Sequence, residues 1–229
     1  MKKVEHNPIL ITGAERSGST MIARILDLCG VSSGNCNGMY EHITITEFNR
    51  EYLKAFPFDF PETKDINIPI RWKNAVEGVL VVEQILENPW MIKSATLARM
   101  WPVWNYAYPD AKWLIVRRRT GDVIQSCLKT GYMRTFKGAE NLDKLGLVRE
   151  DDGWLWWVHE YEKKFVEMIE AGLNCRIVWP ERMVTGNYQQ MYETIEWLGL
   201  KWNNDIPKVI DPLLNKSREV FYENNCTVS

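Results

Sequence analysis

The sequence predicts a three-layer α/β fold, a parallel sheet with helices on both faces, and three observations carry that prediction. Short apolar runs at residues 9–11, 90–93, 112–116 and 175–179 have the length of strands and no polar face, as strands buried on both sides require. Segments with apolar residues at helical spacing lie between them, so strand and helix alternate along the chain. The 229 residues are 45% apolar and hold no long polar linker, enough for one domain with a full core over residues 1–229.

Taken in order, Ile9-Leu-Ile11 is the first strand and residues 21–28 the first helix, joined by Gly13-Ala-Glu-Arg-Ser-Gly-Ser-Thr20. Ala75, Val76, Val79, Leu80 and Leu86 then keep near-helical spacing until Asn88-Pro89 stops the helix. Trp90-Met-Ile-Lys93 reads as a short strand, and a helix over 97–106 is interrupted by Pro102. Pro109-Asp110 turns the chain into a buried strand over 112–116, followed by a helix over 120–129. Residues 130–150 are rich in glycine and charge and lack periodicity, which predicts a lid or acceptor loop.

Trp154, Trp157, Val158, Tyr161, Phe165, Met168 and Ile169 mark one face of the next helix. Tryptophans of this kind ordinarily build core, and Trp156, on the opposite face, is the one least accounted for by it. A strand over 175–179 and a closing helix over 188–198 that stops at Gly199 complete the pattern, while the tail over 203–229 carries no assignment. In such a sheet a ligand is expected at the carboxyl ends of the strands.

Formal net charge is −2, so no global field draws the chain to nucleic acid or anionic lipid, and a cationic site has to be local. Arg117-Arg118-Arg119 is that local cluster. The N-terminal residues lack the apolar core of a signal peptide, and no apolar stretch reaches the roughly 18 residues of a membrane span. A soluble cytoplasmic protein without nucleic-acid or membrane partners is expected. The five cysteines form no CxxC pair, which suggests reduced thiols and no metal site.

The strand–glycine turn–helix at 13–20 keeps the G-x-x-x-x-G spacing of a phosphate-binding loop, hence a P-loop-like fold, but carries Ser19 where a nucleoside triphosphatase needs its lysine. Backbone N–H groups at the helix start, aided by the helix dipole, form an anion site. Without the lysine, cleavage between the β- and γ-phosphates is disfavoured, and Arg16 inside the loop is the replacement cation.

Two segments together resemble the sulfotransferase family that uses 3′-phosphoadenosine 5′-phosphosulfate (PAPS). Arg16-Ser-Gly-Ser-Thr20 after a strand is similar to the family's 5′-phosphosulfate loop, and Arg118-Arg-Thr-Gly-Asp-Val-Ile-Gln-Ser126 matches its 3′-phosphate pattern of Arg and Ser eight residues apart. Weaker echoes are Trp90-Met-Ile-Lys93, like the strand-end lysine of several branches, and Val178-Trp-Pro-Glu-Arg-Met183 before a helix ending Trp197-Leu-Gly-Leu200; together they extend the resemblance over about residues 8–200.

The resemblance implies PAPS as sulfate donor, bound by Arg16, Ser17, Gly18, Ser19, Thr20, Arg118 and Ser126, with no metal required. It implies in-line sulfuryl transfer to an acceptor hydroxyl or amine, the acceptor being a carbohydrate, phenol, peptide or lipid. Lys93 would stand near the donor sulfate. The small-molecule branch places its histidine base just after that lysine, and Lys93-Ser-Ala-Thr96 has none. Tyrosylprotein and several carbohydrate enzymes place a glutamate after the first helix, which points to Glu41, with His42 and Glu47 as competitors. Of the flanking arginines Arg117 and Arg119, one is expected to pair with a carboxylate and the other to be solvated, and Glu181 is expected to be structural. The rival readings are an ATP-dependent kinase-like phosphotransferase and a non-catalytic nucleotide-binding protein on the same fold.

Overall fold

The structure, a computed structural model, describes residues 8–53, 60–61, 63–85, 87–131 and 133–210. Leu86, part of the helix expected before Asn88-Pro89, lies outside them, as do Tyr132 in the expected loop and residues 211–229 of the tail.

Four strands form one sheet: β1 (Ile9–Thr12), β2 (Met91–Lys93), β3 (Lys112–Val116) and β4 (Cys175–Val178). Every pairing is parallel and the order is β2-β1-β3-β4. Side-chain alternation divides the sheet between two cores. Leu10, Ile92, Trp113 and Ile115 belong to one, and Ile9, Ile11, Met91, Leu114, Val116 and Val178 to the other. Because both faces are covered, the strands read as continuous apolar runs, the feature by which they were legible.

The first core is closed by α2 (Ile43–Leu53), α3 (Trp72–Val82), α4 (Thr96–Arg99), α5 (Trp101–Ala107), α6 (Thr120–Lys129), α7 (Ala139–Lys144) and α8 (Glu150–Glu170). The second is closed by α1 (Ser19–Leu28), α9 (Pro180–Val184), α10 (Gln189–Leu198) and α11 (Ile206–Val209). The chain leaves β1 for β2 on one side and then crosses to β3 on the other. The connections therefore diverge at the carboxyl ends of β1 and β3, where a crevice for ligand is expected. Register places Ile11 beside Lys93, Thr12 beside Ile115 and Val116 beside Val178, so the segments that follow all four strands share one edge.

The structure departs from the sequence reading at several elements. The helix over 97–106 is two short ones broken at Met100, with Pro102 in the first turn of α5, where its missing N–H breaks no helical hydrogen bond. Helix α2 went unread because its buried positions are Ile45, Asn49 and Leu53, an apolar stripe with an amide at its centre. That amide is satisfied: Asn49 Nδ2 donates to Thr96 Oγ1 at 3.0 Å, and the Trp104 indole N–H donates to Asn49 Oδ1 at 3.1 Å. Residues 130–150 contain α7 and bury Phe136 and Leu142, which tie the segment to the core, and α11 lies within the unassigned tail. Trp156 does not stand apart from the core either. Its ring lies 6.0 Å from Phe60, 6.5 Å from Phe136 and 6.2 Å from Trp157, edge-on or tilted, within one aromatic cluster.

Candidate active site

The loop between β1 and α1 is shaped by sterics before any ligand is considered. A Cβ at Gly13 would lie 2.4 Å from the Val116 carbonyl oxygen and 2.5 Å from Ser17 Oγ, so only glycine lets the loop cross the end of β3. Gly18 is left-handed (φ 95°) at the start of α1. Arg16 is also left-handed (φ 68°), which costs a non-glycine residue about 1–2 kcal/mol and persists only where neighbours hold it. The Ser17 N–H donates to the Ala14 carbonyl at 3.1 Å and closes the turn. Ser17 is 1% exposed, and its hydroxyl has no hydrogen-bond partner among the described residues. An unused donor inside a glycine turn at a helix N-terminus suits an anion.

The two sulfotransferase-like segments meet in space. Arg16 Nε donates to Ser126 Oγ at 3.0 Å across 110 residues, and Arg118 Nη1 donates to the Arg16 carbonyl at 3.4 Å. Arg118 is 9% exposed where β3 runs out into α6, and Ser126 lies on α6 itself. The neighbouring arginines face elsewhere. Arg117 grips Glu162 with Nε at 3.0 Å and Nη2 at 2.5 Å, its guanidinium 4.9 Å from the Trp179 ring centroid. Arg119 reaches Glu181 at 3.5 Å but stays largely solvated, so Arg117 is the paired and Arg119 the exposed member of the two. The Arg119 pair is the weaker, since that side chain is 61% exposed.

Beside this anion site, Lys93 at the end of β2 is buried rather than capping a strand at the surface. Its Nζ donates to Glu41 Oε1 at 2.6 Å and to the Met39 carbonyl at 3.0 Å. The segment that carries Glu41 is preorganised. Asn37 Oδ1 accepts the N–H groups of Met39 (2.8 Å) and Glu41 (3.1 Å), and left-handed Tyr40 donates its hydroxyl to Asp27 at 2.9 Å. Burial, helped by the Asp27 carboxylate, pushes the Tyr40 phenol up to about 12.

The three candidate bases separate by environment. His42 is 2% exposed, and its Nε2–H donates to the Ser33 carbonyl at 2.5 Å. Burial holds its pKa below the ordinary value, so it is a neutral, structurally committed ring. Glu41 keeps 38% of its side chain exposed and opens on a cavity of about 150 Å³ that His42, Thr46, Glu47 and Arg50 also line. Glu47 sits exposed on α2 without the lysine partner that Glu41 has. Sequence reasoning missed Asn37, Tyr40 and Glu15, because their roles depend on partners that sequence spacing does not reveal. Among the described residues no group of three or more His, Cys, Asp and Glu could hold a metal ion, and no helix is long and apolar enough to cross a membrane.

The fold as a whole is similar to that of solved sulfotransferases. The sulfotransferase domain from the curacin biosynthetic pathway superposes with a TM-score of 0.59 at 14% identity, over 91% of this chain and 79% of that one. Sulfotransferase STF9 from Mycobacterium avium superposes with a TM-score of 0.54 at 12% identity, over 90% of this chain and 67% of that one. No protein-family model and no curated relative matches the sequence. At these identities the likeness establishes the fold: a single-domain α/β protein of the sulfotransferase type.

Proposed function

We propose that this protein is a sulfotransferase that moves the sulfuryl group of PAPS to an acceptor hydroxyl or amine. The observation that carries this reading is the meeting of Arg16 with both Ser126 and Arg118, which gathers a 5′-side cation and a 3′-side Arg–Ser pair at one strand edge. The residues fit the donor. Gly13 and Gly18 admit close backbone approach, Ser17 offers an unused hydroxyl, and Arg118 gives a fork suited to a phosphate with Ser126 beside it. The loop lacks the lysine that a β/γ-cleaving enzyme uses, which disfavours the kinase-like reading.

In this reading the acceptor oxygen forms a bond to sulfur as the bond to the bridging oxygen of the nucleotide breaks. Arg16 and the backbone N–H groups of Ser17 to Thr20 stabilise the charge that grows on that bridging oxygen. Glu41 takes the acceptor proton from the cavity side. Lys93 orients Glu41 with one N–H, gives a second to the Met39 carbonyl and directs the third to a sulfuryl oxygen. In this reading His42, whose Nε2–H is taken by the Ser33 carbonyl, serves the scaffold and Glu41 is the base.

The test is thermal stability with 3′-phosphoadenosine 5′-phosphate (PAP), ATP and ADP, with and without Mg²⁺, on wild type and Arg118→Ala. Ligand at about 100 times Kd adds roughly 2.7 kcal/mol, a rise of several degrees in a chain of this size. A metal-independent shift with PAP that Arg118→Ala loses is expected. A shift with ATP and Mg²⁺ alone overturns the reading.

A further inference from the structure

Glu15 is the loop residue whose chemistry opposes its surroundings: a carboxylate within an anion-binding turn repels an anionic donor. Its geometry resolves the conflict. The backbone of Glu15 belongs to the loop, but its half-buried carboxyl group turns toward α8. There the Trp157 indole N–H donates to Glu15 Oε2 at 2.5 Å and the Tyr161 hydroxyl donates to Oε1 at 3.4 Å. Trp157 and Tyr161 are one helical turn apart and lie on one face of α8. Both donors are rigid, since Tyr161 is 0% and Trp157 8% exposed, and Phe60 packs against each at 4.9 and 5.1 Å between ring centroids. Arg99 of α4, its guanidinium 5.5 Å from the Trp157 ring and 4.9 Å from Phe60, supplies positive charge nearby.

We propose that Glu15 is a positioning residue: its carboxyl pins the loop to α8 and so holds the left-handed backbone of Arg16, from which the guanidinium and the following N–H groups meet the 5′ side of the donor. The inference rests on the donor reading above. Arg16 is then held from both flanks, by the Glu15 side chain before it and by Arg118 on its own carbonyl. A left-handed arginine released on one flank relaxes toward the ordinary right-handed region and carries the N–H groups of the turn with it. Arg118, just after β3, and Ser126, on α6, both touch Arg16 but are anchored on their own elements, whereas the Glu15 carboxyl is bound by Trp157 and Tyr161 of α8.

That division supplies the test. Dissociation constants of PAP and of adenosine 3′-monophosphate, which lacks the 5′-phosphate, are measured by calorimetry on wild type, Glu15→Gln and Glu15→Ala. The ratio of the two constants reports the grip on the 5′ group alone. In Glu15→Ala the ratio should collapse by about tenfold, or 1.4 kcal/mol, with adenosine 3′-monophosphate bound as in wild type. Glu15→Gln keeps an oxygen for the Trp157 N–H and should hold the ratio at or above the wild-type value. Equal loss of both ligands in Glu15→Ala, an unchanged ratio there, or a collapsed ratio in Glu15→Gln each overturns the inference while leaving the donor site standing. A wild type that binds neither nucleotide overturns the donor reading and the pin together.

Discussion

Replacing Gly13 by alanine tests whether the loop is shaped by its approach to β3. The added methyl would sit 2.4 Å from the Val116 carbonyl oxygen and 2.5 Å from Ser17 Oγ, against roughly 3.3–3.6 Å for a close carbon–oxygen contact. Ser17 Oγ can rotate away, but the Val116 oxygen belongs to a strand paired on both sides and has no cheap route out. Overpacking of this kind costs about 2 kcal/mol. In a chain of this length that lowers the melting temperature by about 4–8 °C, and the displaced loop should lose PAP binding as well. Gly78→Ala is the matched control. Gly78 is exposed on α3 with nothing within 4 Å of its Cβ position, and alanine there should stabilise the helix by about 0.5–1 kcal/mol. Thermal melts of the two variants beside wild type decide the matter. Gly13→Ala melting within about 1 °C of wild type would refute the steric argument.

Three further outcomes are expected. Glu41→Gln should lower turnover by about 100-fold or more, the scale of a lost general base, with PAP affinity kept, whereas Glu47→Gln should leave turnover intact; equal rates in wild type and Glu41→Gln would remove Glu41 as the base. His42 has a folded pKa below the ordinary 6.5, so as pH drops below 6.5 the unfolded chain binds more protons and stability decreases as the solution becomes more acidic. His42→Gln, which keeps an Nε2 donor for Ser33, should flatten that part of the melting-temperature profile, and parallel curves for the two proteins would contradict the assignment. Asn49→Ala strands the Trp104 indole in the core, while the Thr96 hydroxyl keeps Ser94, and should cost about 1–3 kcal/mol in chemical denaturation; a loss under about 0.5 kcal/mol would mean the amide is not the tie between α2 and the helices beneath it.

The elements legible in the sequence were those fixed by short-range rules. The buried strands β1, β2 and β3, and the partly buried edge strand β4, show as short apolar-rich runs, and the turn after β1 shows as glycines at set spacing, because strand burial and left-handed backbone each constrain the residue type locally. Helix α2 was illegible because a core amide interrupts its apolar period, and an amide is allowed there only by Trp104 and Thr96, which come some fifty residues later. The surroundings of Trp156 and Arg119 were not legible in detail for a related reason. Phe60 and Phe136 decide the surroundings of the first and Glu181 the partner of the second, and no periodicity encodes either.

For the candidate site, the sequence by itself determined a glycine turn with phosphate-loop spacing and an arginine within it in place of the usual lysine, and a second Arg–Ser pair after a later strand. Only the tertiary structure decided that these meet through Arg16 and Ser126, that Lys93 holds Glu41 while His42 is committed to Ser33, and that Glu15 turns its carboxyl away from the anion site toward Trp157. The physical reason is the range of each interaction. Backbone sterics and side-chain alternation act within a few residues, whereas a charge or a hydrogen-bond donor takes whichever partner the strand order brings within about 3 Å.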